Sequence, residues 1–85
     1  MLKISIIAKD KILYEGQANS VIVPTKMGII EVLPNHMALV SALSAGEIIL
    51  KNDKENSANG ERIKFAVQGG VLEVRPQSEV IILVD

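Results

Sequence analysis

Short runs of Ile, Val and Leu recur along this chain at roughly 8–12-residue spacing, and each closes on a Gly, Pro, Asn or Asp step. β-branched side chains suit a pleated, half-buried surface. In the first run Leu2, Ile4 and Ile6 alternate with Lys3 and Ser5, the two-residue period of a strand with one buried face. The runs predict strands at Ile4–Ile7 and Ile12–Tyr14, at Ser20–Val23 closed by Pro24, and at Ile29–Leu33 closed by Pro34. Further strands are expected at Met37–Leu43, Glu47–Lys51, Arg62–Val67, Val71–Val74 and Val80–Val84. The expected fold is all-β: an antiparallel two-sheet β-sandwich of about eight to ten short strands. One domain spans residues 1–85, because a chain of this size does not divide its core.

A domain of 85 residues buries only roughly 60–65% of its unfolded surface, so its interior must be strongly apolar. Hydrophobic residues make up 48% of the chain, and Tyr14 and Phe65 are its only aromatics, so an aliphatic core is expected. Nine basic residues stand against ten acidic ones, with no basic run and almost no stacking surface; recognition of nucleic acid is excluded on that ground. Cysteine is absent, which removes disulfides, thiolate metal sites and thiol nucleophiles and suits a reducing compartment. No apolar stretch approaches the ~18 residues of a membrane-spanning helix, and the amino terminus is too short and strand-like for a signal peptide.

The catalytic inventory is thin. His36 is the one histidine, so a multi-histidine metal site within the chain is excluded; a Ser-His pairing would have to use His36 with a serine such as Ser41 or Ser44, and no Gly-x-Ser-x-Gly elbow is present. No phosphate-binding loop occurs, and no cofactor or metal is expected. Gly69-Gly70 lies between strands and reads as a bulge or a close backbone approach in the sheet. The polar tract Asn52–Gly60 ends in the turn dipeptide Asn59-Gly60 and reads as a hairpin tip. Lys26 beside Met27 imitates in part the modified lysine of biotinyl and lipoyl carrier domains, the alternative reading, although an exposed turn lysine is the plainer one.

The stretch Gly28–Val40 sets His36 directly after Pro34-Asn35, between two apolar runs. A polar loop carried on a rigid all-β body is a usual place for partner contacts. Together with Val67-Gln68-Gly69-Gly70-Val71-Leu72-Glu73-Val74, this stretch resembles the amino-terminal sandwich domain of the epsilon subunit of F-type ATP synthases. The similarity covers nearly the whole chain. Tyr14-Glu15-Gly16 and Val21-Ile22-Val23-Pro24-Thr25 match the family's opening steps, and Gly28, Leu33, Pro34, His36, Leu39 and Leu43-Ser44-Ala45-Gly46 follow in order. Departures are Ile29 for an acidic residue, Glu31 for a second Gly, Ala38 for Pro and Gln68 for Ser.

The resemblance implies a non-catalytic central-stalk subunit that binds the gamma subunit and the c subunits of the membrane rotor ring. It would thereby help couple proton flow and rotation to ATP synthesis. Glu31, Asn35, His36, Met37 and Ala38 are the expected ring contacts, with Gly28, Pro34 and Leu39 supporting the loop. The expected location is peripheral, on the cytoplasmic face of a bacterial inner membrane, held there through the complex. The family usually continues into a helical hairpin that carries an inhibitory brake and, in some members, an ATP site. The sequence stops at Asp85, so the expectation is a form without hairpin, brake or ATP site.

Overall fold

The structure, a computed structural model, describes residues 1–52 and 61–85. Nine strands are found among them: β1 (Leu2–Ala8), β2 (Lys11–Ala18), β3 (Ser20–Thr25), β4 (Gly28–Val32), β5 (Leu39–Leu43), β6 (Gly46–Asn52), β7 (Glu61–Val67), β8 (Gly70–Arg75) and β9 (Glu79–Val84). The polar tract expected as a hairpin tip lies outside the described residues, apart from Asn52 at the end of β6.

Hydrogen bonding runs in the order β2-β1-β9-β8-β5-β3-β6-β7, with β4 added to β3. The path folds over at a single residue pair, Thr25↔Leu43, which joins β3 to β5. One layer is therefore β2-β1-β9-β8-β5 and the other β4-β3-β6-β7. Ladders are antiparallel except that β1 and β9 run parallel, from Lys3↔Glu79 to Ile7↔Leu83. A parallel pair needs a long crossover, and the first and last strands have most of the chain between them.

Inward residues of both layers form one aliphatic core. Leu2, Ile4, Ile6, Leu72, Val80 and Ile82 meet Val21, Val23, Val32, Ile48 and Leu50, all fully buried. No aromatic enters it. Tyr14 of β2 and Phe65 of β7 pack against its margin in an edge-to-face pair, 6.1 Å between ring centroids, joining the outermost strand of one layer to that of the other.

Several boundaries differ from the sequence reading, and β2 runs on to Ala18 past the expected end at Tyr14. Pro24 lies inside β3 and does not close it. β3 pairs with β6 at Ser20–Ile22 and with β5 only at Thr25, so Pro24 stands where the strand passes between partners. Its carbonyl accepts from the Ser44 N–H at 3.0 Å on that side, and its missing N–H removes no ladder bond there. Met37 and Ala38 belong to a loop, with β5 starting at Leu39, because positive φ at Asn35 turns the chain before the ladder to β8 begins.

Candidate functional site

Register places an aliphatic surface on the outside of the first layer. Residues that alternate with buried Leu72, Ile82 and Ile6 face outward, and the ladders align Ile7, Leu83, Val71 and Ala42 in one row across β1, β9, β8 and β5. The next row is Ser5, Ile81, Glu73 and Val40. Ile12 of β2 pairs with Ile7 and extends the patch. Val40 is 71% exposed, Ile12 59% and Leu83 48%, unusual values for large apolar side chains aligned across adjoining strands. Lys3, Glu79 and Arg75 border it below, and Arg75 bonds to Glu73 and lies 3.5 Å from Glu79.

Continuous with this face is the loop between β4 and β5. The His36 N–H donates to the Leu33 carbonyl at 3.2 Å and closes a turn around Pro34-Asn35. Asn35 has φ 64°, a region that Asn tolerates better than most residues. The His36 ring is within 2.8 Å of the Met37 carbonyl through Nδ1. A carbonyl only accepts, so Nδ1 carries the proton and Nε2 is the ring nitrogen left for a partner. Met37 is 81% exposed. A shallow groove lined by Ala38, Leu39, Val40, Glu73, Arg75 and Pro76 joins the loop to the aliphatic face.

Of the residues expected from sequence, Asn35, His36, Met37 and Ala38 come together in this loop, with Pro34 in its turn and Leu39 partly buried against the core below it. Glu31 does not join them. It lies on β4, and its carboxylate accepts from Ser20 Oγ at 3.1 Å and from Lys51 Nζ at 3.2 Å. These hydrogen bonds, Lys51's first, hold its pKa below the ordinary glutamate value. Gly28 is at the other end of β4, in a hairpin whose Thr25 hydroxyl donates to the Gly28 carbonyl at 2.6 Å. Lys26 is an exposed residue of that hairpin turn. Gly69 and Gly70 enter β8 against the end of β9, remote in sequence from the loop.

Sequence reasoning named none of the residues of the aliphatic face, since several strands are apolar on both sides and the pattern leaves the outer face undecided. Its signal was present in Val80–Val84, a run apolar at every position, whereas a strand with one wet face would alternate. Ser78, whose hydroxyl meets Asn35, carried no signal at all.

The chain matches over residues 1–85 the family described as ATP synthase, Delta/Epsilon chain, beta-sandwich domain. It is 34% identical to an ATP synthase epsilon chain of Xanthomonas euvesicatoria pv. vesicatoria, covering 99% of this chain and 56% of that one. An ATP synthase epsilon chain of Leptospira interrogans is 39% identical, with 99% and 61% covered. The chain thus spans less than two thirds of the length of these relatives. Among solved structures, a chain in the Euglena gracilis mitochondrial ATP synthase, described as OSCP/F1/c-ring, superposes with a TM-score of 0.85 at 18% identity, covering 98% of this chain and 49% of that one. A chain in the central stalk/c-ring structure of the Tetrahymena thermophila mitochondrial ATP synthase gives 0.73 at 15% identity, with 98% and 62% covered. At such identities the superpositions speak for the fold.

Proposed function

The chain belongs to the β-sandwich domain family of ATP synthase delta and epsilon chains, and from that membership we propose that it is a non-catalytic coupling subunit of an F-type ATP synthase rotor. The single observation that carries the reading is the outward aliphatic row Ile7, Leu83, Val71 and Ala42, beside a separate polar loop at Asn35–Ala38. A patch of this kind on a small domain marks a protein contact, and its uncharged row suits a stable partner more than a transient one. In this proposal the face takes the gamma subunit and the loop reaches the c subunits of the ring. The domain is then peripheral to the membrane through the assembled complex.

The physical demand on such a part is stiffness, since torque must pass through it without deformation. A close-packed aliphatic core between two hydrogen-bonded layers meets that demand. Among the described residues no helix is long and apolar enough to cross a membrane.

The test is a titration of the chain against the gamma subunit, and then against gamma bound to the ring, from the same source. Stoichiometric binding to gamma is expected, weakened at least about 100-fold by Leu83→Asp with Val71→Asp. His36→Ala and Met37→Ser are expected to weaken only the assembly that contains the ring. Absence of binding to gamma at micromolar concentrations would overturn the proposal.

A further inference from the structure

Three non-glycine residues among those described have positive φ: Asn35 at 64°, Gln77 at 66° and Ser78 at 59°. Gln77 and Ser78 are consecutive in the connection between β8 and β9. Positive φ at two successive hairpin residues is the demand met by Asn-Gly or Gly-Gly, because glycine has no Cβ to clash. Serine has no such advantage, so its presence at that corner carries a steric cost that the turn itself does not explain.

Its hydroxyl does explain it. The Asn35 N–H donates to Ser78 Oγ at 2.9 Å, and Ser78 Oγ lies 3.4 Å from Asn35 Oδ1, as donor to it. One hydroxyl can accept and donate together, so Ser78 grips both the main chain and the side chain of Asn35. The anchor is itself held: the Ser78 carbonyl accepts from the Lys3 N–H of β1 at 2.9 Å. Two of the left-handed residues in the structure are thus each other's partners. Asn35 is the corner after which His36, Met37 and Ala38 project.

We propose that Ser78 is a positioning residue for the loop at 35–38: its hydroxyl fixes the left-handed corner at Asn35 and thereby the direction in which His36 and Met37 are presented. That the presented surface meets the rotor ring rests on the function proposed above; the grip on Asn35 does not.

The informative variant is Ser78→Gly, because glycine suits the left-handed position while removing the hydroxyl. Ser78→Ala would keep the steric cost and confuse the two effects. In Ser78→Gly the thermal midpoint is expected to hold or rise, while exchange of the Asn35 amide hydrogen, read by NMR on the chain, quickens roughly five- to tenfold. Affinity for the gamma–ring assembly is expected to fall, and affinity for gamma alone to stay. Unchanged exchange at Asn35 would overturn the grip whatever the function. Faster exchange with unaltered ring affinity, where His36→Ala does reduce it, would overturn the positioning role and leave the function standing. If the wild-type chain does not bind the ring, the functional reading fails, and the exchange measurement alone decides whether Ser78 holds the loop.

Discussion

Gly70 approaches the main chain of Leu83 so closely that a Cβ on it would lie 1.9 Å from the Leu83 carbonyl oxygen. Its φ of 139° is in the region that side chains avoid. The obstacle is backbone within the β8–β9 ladder and has no way to give. Gly69, its neighbour, meets only the carboxylate tip of Asp85 at 2.9 Å, a flexible group that swings aside. Gly70→Ala is therefore expected to cost at least about 3 kcal/mol and Gly69→Ala under about 1 kcal/mol. Thermal unfolding separates them: the first should fall by about 12 °C or more.

Ile82 and Leu83 are adjacent on β9 and have opposite fates, one fully buried and the other 48% exposed. Ile82→Ala should destabilise by about 2–5 kcal/mol, the loss of transfer energy plus the cavity left behind. Leu83→Ser should cost under about 1 kcal/mol and act on partner binding instead. Urea midpoints for both variants, set beside gamma affinity, would expose any reversal of this order.

Thr25 is buried, and its hydroxyl serves both sides of the β3–β4 turn, accepting from the Met27 N–H at 3.2 Å and donating to the Gly28 carbonyl. Thr25→Val keeps the shape and strands both groups. A loss of about 1–3 kcal/mol is expected, with Thr25→Ser retaining most of the bonding. Equal stability of the valine and serine variants in chemical denaturation would contradict the account.

Glu31 has a depressed pKa through Lys51 and then Ser20. A carboxylate held below its unfolded value contributes stability above that value and loses it as pH falls through the folded one. Wild type should therefore exceed Glu31→Gln at neutral pH, and the two should converge on acidification below the ordinary glutamate range. High salt should narrow the gap, because the pair is exposed. Denaturation midpoints across that range, with and without salt, test the sign.

Strand class, an aliphatic interior and the family were legible in the residues. So was the turn at Asn35 and His36, since a Pro-Asn step between apolar runs is a local signal, whereas Met37 and Ala38 read as strand and lie in the loop before β5. Close backbone approach at Gly69-Gly70 was legible too, and the structure locates it at Gly70. Pro24 misled because it stands where β3 changes partner and no ladder bond needs its N–H, and partner changes are invisible along the chain. Glu31 and Gly28 were drawn toward the loop by nearness in sequence. β4 carries them off, one into a bond with Lys51 of another strand and the other into the hairpin behind it.

By itself the sequence determined that this chain forms short strands around an aliphatic core, because alternation and turn residues act over a few positions. Tertiary structure alone decided that β1 lies parallel to β9, that Leu83 faces out while Ile82 faces in, and that Ser78 meets Asn35. A strand apolar on both sides has no phase of its own. Its inner face is set by which neighbours it pairs with, and for β9 one of them, β1, lies at the opposite end of the sequence.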